Sequence, residues 1–153
     1  MRRWRSWWLD QLSDEPIMSS ISTIALSGMN AAARRLDVSA SNVANVRSDG
    51  ALPGADGTVP AGAPQAYAPL ELVQTANADG GTQTSVTTAN PSFVAISDPQ
   101  APFANQDGLV AAPNIDLAPE LVGQMLASYS FAANASVMTA DNHMTKSLLD
   151  ITA

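Results

Sequence analysis

Chemistry in a chain of 153 residues has to come from a few side chains, and here the set is thin. The one histidine, His143, stands beside the apolar Met144. A lone ring in that setting reads as a surface or packing residue, because acid–base work needs a second group to tune and orient it. Asp98, Asp107 and Asp116 recur at intervals of nine. A calcium loop sets its oxygen ligands at alternate positions, so these three carboxylates fit separate turns and a helix start. Met125, Met138 and Met144 follow helical spacing and read as packing residues, not as a copper site. There is no cysteine, hence no thiol nucleophile, thiolate metal site or disulfide. Neither HExxH nor GxSxG occurs, and Gly80-Gly81 is followed by Thr-Gln-Thr where a phosphate loop needs Lys-Ser/Thr. No catalytic set, metal site, cofactor or small-molecule substrate is expected.

The elements that would have to position such a site are equally spare. Apolar residues make up 46% of the chain, but 27 of them are alanine. Large side chains are scarce, and all 3 Trp fall within the first eight residues. The thick core of an α/β enzyme is out of reach. A thin protomer that completes its core against neighbours fits better. A net charge of −7 argues against nucleic-acid binding, which needs a basic face.

The first residues, Met1-Arg2-Arg3-Trp4-Arg5-Ser6-Trp7-Trp8-Leu9, open like the basic part of a secretory signal, but Asp10, Asp14 and Glu15 follow before any apolar stretch develops. No run approaches the ~20 apolar residues of a membrane span. Three of the seven Lys and Arg also lie here, whereas Met18-Ser19-Ser20 opens a chain of different character. Residues 1–17 therefore read as an N-terminal extension that is non-native or disordered.

Three zones follow. Residues 18–46 form an N-terminal helix. Ala25, Met29, Ala32, Leu36, Ser39, Val43 and Val46 alternate in steps of four and three, a heptad seam, and Ser19 or Ser20 can cap its start. Gly28 lowers helix propensity by about 1 kcal/mol relative to Ala and marks a possible close approach of a second helix. Residues 47–113 hold 8 of the 10 Pro and 7 of the 9 Gly, so the middle is loop with a small β insert. Short strands fit Leu70–Thr75, Thr82–Thr88 and Phe93–Ile96, with Asn77–Gly81 as the turn between the first two. Residues 114–153 form a long C-terminal helix, with Asn114 as N-cap and Asp116 and Glu120 near its positive end. Leu126, Tyr129, Ala133, Val137, Ala140, Met144, Leu148 and Ile151 trace an eleven-residue repeat, close to 3.67 residues per turn. The fold class is thus mainly α with a small β insert. Its long terminal helices pair antiparallel as a coiled coil, and its middle is a Pro/Gly-rich segment containing a β-hairpin. One helix pair leaves much of each apolar stripe open, which suits a subunit built for assembly.

Against this background, Ile24-Ala25-Leu26-Ser27-Gly28-Met29 and Arg34-Arg35-Leu36-Asp37-Val38-Ser39-Ala40-Ser41-Asn42-Val43-Ala44-Asn45 resemble the N-terminal signature of the flagellar axial proteins of rod, hook and filament. Pro113-Asn114-Ile115-Asp116-Leu117, the stretch Met125–Asn134 and the ending Lys146-Ser147-Leu148-Leu149 are similar to their C-terminal helix. The resemblance runs from Met18 to the end. The short insert and Asp107-Gly108-Leu109-Val110 point to the proximal-rod subtype. Arg47-Ser48-Asp49-Gly50 stands where many relatives carry Thr-Pro-Gly-Tyr, and Ser130 and Ala133 also depart from the pattern. A sibling rod protein, or a secreted coiled-coil component of a non-flagellar type III export system, remain as alternatives.

The resemblance implies a structural, non-enzymatic subunit of the basal-body rod that crosses the periplasm as part of the motility drive shaft. It implies export through the flagellar type III apparatus without a cleaved signal, and tails that become helical on assembly. The partners implied are other rod subunits, copies of the chain itself and the export apparatus, with no nucleic acid. The expected assembly interface sets Met29, Leu36, Val43 and Val46 of the first helix against Leu126, Tyr129, Val137, Met144 and Leu148 of the second.

Overall fold

The structure, a computed structural model, describes residues 17–152. The expected extension lies outside the described residues except for Ile17, the first residue of helix α1 (Ile17–Ala44). Ser19 and Ser20, expected at its start, fall within the helix. The helix is free of proline and rich in alanine, which keeps it continuous. Its end is set by side chains that compete for the last carbonyls. Asn45 Nδ2 donates to the Ser41 carbonyl at 2.9 Å, and Ser48 Oγ donates to Asn45 Oδ1 at 3.1 Å. Val46 falls in the turn beyond, so the heptad seam stops one position short of where its spacing suggested.

The middle segment builds two antiparallel ribbons from four strands, one more than expected. Strand β1 (Leu70–Ala76) pairs with β2 (Thr82–Thr88), with Leu70 opposite Thr88 and Ala76 opposite Thr82. Strand β3 (Phe93–Ser97) pairs with β4 (Leu109–Pro113). The fourth strand escapes a pattern reading because Leu-Val-Ala-Ala-Pro has neither alternation nor a run of β-branched residues, and its partner lies across a loop. A bridge from Gly50 to Ala111 ties the segment after α1 to β4.

Helix α2 (Leu117–Thr152) starts three residues later than expected. Asp116, not Asn114, is its N-cap: Asp116 Oδ1 accepts the Ala118 amide at 3.0 Å. Asn114 instead donates through Nδ2 to the Pro91 carbonyl and holds the chain to the β2–β3 link. Pro119 is tolerated because it is the third helical residue, where no amide is needed.

The architecture is mainly α with a β insert. The two helices pack side by side and antiparallel, since Ser22 meets Asp141 while Ser39 meets Glu120. The β1–β2 ribbon lies along a second flank of α1. The core is small and mostly alanine, with Ala25, Ala31, Ala32, Val38 and Ala127 at the helices and Ala51, Val110 and Ala111 at the base of the ribbons. Among the described residues, no helix is long and apolar enough to cross a membrane.

Candidate assembly interface

Helix α1 is gripped on two sides. Toward the ribbon, Asn42 Nδ2 donates to the Leu70 carbonyl at 2.9 Å while Asn42 Oδ1 accepts the Leu70 amide at 2.9 Å. The side chain thereby does for β1 what a neighbouring strand would do. Farther along, Arg35 Nη2 donates to Gln74 Oε1 at 2.9 Å, and the Thr82 amide donates to Ser27 Oγ at 3.1 Å. The ribbon's turn closes on the same helix. Gly80 and Gly81 have φ of +90° and +81°, and a Cβ on Gly81 would stand 2.6 Å from Ser27 Oγ.

Toward α2 the contact is unusually polar. Ser39 Oγ donates to the Glu120 carbonyl at 2.9 Å, and Asn42 Nδ2 also donates to Glu120 Oε1 at 2.6 Å. Ser22 Oγ donates to Asp141 Oδ2. Gly28 is the point of close approach, because a Cβ there would come within 2.5 Å of Asn134 Oδ1. Asn42 completes its hydrogen bonding by accepting from the Tyr67 hydroxyl at 3.2 Å. It is 2% exposed and joins α1, α2 and β1, so it is the hub of the fold. The sequence carries a signal for it: an asparagine three positions from seam residue Ser39 falls on the inner side of an amphipathic helix.

The apolar residues of α2 lie elsewhere. Leu126, Tyr129, Val137, Met144 and Leu148 are between 47% and 68% exposed. The face turned to α1 instead carries Glu120, Ala127, Asn134 and Asp141. The eleven-residue stripe lies about 110° around the axis from that face, at ~100° per residue. Within the chain the helix pair is therefore made by residues other than Met29, Leu36, Val43 and Val46 against that stripe, the set expected to meet in assembly. Polar groups with matched partners hold the pair, and the strongest apolar periodicity faces outward. On α1, Ala25, Ala32 and Ser39 are buried as the heptad requires. Met29, Val43 and Val46 are partly covered, and Leu36 stays 42% exposed. Leu36 and Phe131 flank a groove floored by Ala32, Ala33, Ala127 and Ser128.

The residues that could have done chemistry are dispersed. His143 is exposed on α2. Asp98 accepts the Gln100 amide in a turn, Asp107 donates its own amide to Asn105 Oδ1, and Asp116 caps a helix. Met138 is partly covered, whereas Met125 and Met144 are exposed. Among the described residues, no three His, Cys, Asp or Glu side chains converge as metal ligands would.

Comparison with known proteins adds a family. A family profile described as "Flagella basal body rod protein" matches residues 23–51, the stretch that holds Gly28, Asn42 and Gly50. A flagellar basal-body rod protein FlgC of Escherichia coli O6:H1 is 34% identical over 136 residues, covering 84% of this chain and 94% of the relative. FlgC of Salmonella typhimurium matches at the same identity and coverage. FlgC of Agrobacterium fabrum is 30% identical over 138 residues, covering 88% and 94%.

Proposed function

The chain belongs to the FlgC family of flagellar basal-body rod proteins and is a structural subunit of the proximal rod; we propose that it polymerises there through the outward faces of its two long helices. The observation that carries this reading is the stripe Leu126, Tyr129, Val137, Met144, Leu148 and Ile151, six side chains left about half or more exposed along one face of α2. Monomeric proteins rarely leave so long an apolar face open. Covering the remaining half of each side chain is worth about 1 kcal/mol, or roughly 6 kcal/mol for the stripe. Repeated from subunit to subunit, a contact of that size supports a polymer. A heterologous contact between such stripes and neighbouring subunits propagates along a helical tube.

On this reading Met29, Leu36, Val43 and Val46 of α1 and the α2 stripe meet neighbouring subunits, and the helices bundle as coiled coils in the rod. The partners are copies of the chain and other rod subunits. The chain leaves the cytoplasm through the flagellar export apparatus without a cleaved signal, and the rod it joins spans the periplasm. It transmits torque and catalyses nothing. Residues 1–17 are not needed for this role.

The test uses Leu148→Asp and Tyr129→Asp, both on exposed positions. Each is expected to leave the chain's own thermal stability within about 0.5 kcal/mol of wild type, to leave export unchanged, and to abolish rod completion and swimming. Normal rods in both variants would remove the stripe from the interface.

A further inference from the structure

The seam between α1 and α2 has a degeneracy that something must resolve. Its buried apolar members in line with the polar contacts are Ala25, Ala32 and Ala127, side chains too small to distinguish one axial alignment from another; Ala31 and Val38, one heptad apart, share a different flank of α1. An alanine seam fits almost as well after a slide of one heptad, about 10 Å at 1.5 Å per residue. The distinguishing groups sit at one heptad position of α2, where Glu120, Ala127, Asn134 and Asp141 follow at steps of seven. Each polar member has its own partner on α1. Glu120 Oε1 accepts from Asn42 Nδ2, Asn134 fills the space left by Gly28, and Asp141 accepts from Ser22; the Ser39 hydroxyl bonds only the Glu120 backbone carbonyl, which any residue supplies. A one-heptad slide would set Ala127 against Asn42, Asp141 against Gly28 and Leu148 against Ser22. None of the three matches survives it.

We propose that Glu120, Asn134 and Asp141 form a register key, which fixes the axial alignment of the helix pair at a cost in its strength. The cost is visible at Asp141, which is 3% exposed and whose Oδ1 has no hydrogen-bond partner among the described residues. Apolar residues there would pack more firmly and specify less, as with single polar residues in the seams of coiled coils. The key also decides what a neighbour meets. With α2 held at one position, its outward stripe stands at one height relative to the β1–β2 ribbon, and every subunit presents the same surface. That consequence rests on the rod reading; the key itself does not.

The chain has no cysteine, so introduced pairs report cleanly. Ala33 and Ser128 are exposed and line the same groove between the helices. In the purified full chain, Ala33→Cys with Ser128→Cys should link through a short bis-maleimide. Ala33→Cys with Ala135→Cys, one heptad along, should not. Adding Asn134→Ala and Asp141→Ala should let the second pair link as well, the mark of a slide of about 10 Å. Asp141→Asn, which keeps an acceptor for Ser22, should restore linkage to the first pair alone. Linkage that stays at the first pair in the doubly substituted chain would overturn the key. Loss of both links together with helical circular dichroism would overturn it too, since those residues would then hold the fold and not choose its register. A substituted chain that still swims while its linkage has shifted would leave the key standing and count against the rod reading.

Discussion

Replacing Asn42 by alanine is expected to destabilise the chain by about 4 kcal/mol and to leave cells without a completed rod. The side chain spends both donors and its acceptor on three other elements, through Leu70, Glu120 and Tyr67. Its removal leaves the Leu70 amide and carbonyl unpaired at the start of β1, beside a carboxylate that has lost its nearest donor. Each buried group left without a partner costs about 1–3 kcal/mol. For a chain of this length the loss corresponds to a fall in thermal midpoint of roughly 8–16 °C. Asn42→Asp keeps the shape but removes both donors and sets a second carboxylate against Glu120, so it should do no better. A midpoint within 2 °C of wild type for Asn42→Ala, on the scale of about 2–4 °C per kcal/mol, would remove Asn42 from its place as hub.

Gly50→Ala should be comparably severe, for a steric reason. A Cβ at Gly50 would stand 2.1 Å from the Ala66 nitrogen, 2.4 Å from the Gln65 carbonyl carbon and 2.7 Å from the Pro64 oxygen. All three are backbone atoms and cannot rotate aside. The backbone on both flanks is pinned: Gly50 and Ala111 exchange two hydrogen bonds at 2.9 Å, and the Ala51 amide donates to the Pro64 carbonyl at 2.8 Å. Making room means breaking one of these ties, and a loss of more than about 3 kcal/mol follows. Gly123→Ala gives the contrast. Nothing lies within 4 Å of its Cβ position, inside α2. There the substitution should stabilise by about 1 kcal/mol through helix propensity alone. Thermal unfolding of the two variants side by side checks both signs.

Much of this architecture is legible in the residues. The heptad of α1 leads to buried Ala25, Ala32 and Ser39, and Gly28 does mark the close approach of the helices. The first ribbon is readable because Asn77–Gly81 supplies a turn that only glycine-rich sequence can make at positive φ. The face of α2 that meets α1 is not readable from hydrophobic spacing. Periodicity locates whichever face is most apolar, and in α2 that face points away from the chain's own core. The intrachain seam is written in Glu120, Asn134 and Asp141, residues that ordinarily mark a solvated surface. Strand β4 and the role of Asn42 depend on groups brought together over long sequence separations, and no local pattern encodes them. On the proposed reading, the apolar residues of α2 are kept for neighbouring subunits while polar groups hold the chain's own helices together.

An in-frame deletion of the coding region, complemented with residues 1–153 or 18–153, scored for swimming and imaged for basal bodies, shows whether the chain is an indispensable rod subunit. The expected result is non-motile cells that keep a motor base but lack a completed rod or hook, restored to swimming by either form. Full motility with intact basal bodies in the uncomplemented deletion would remove the chain from the rod.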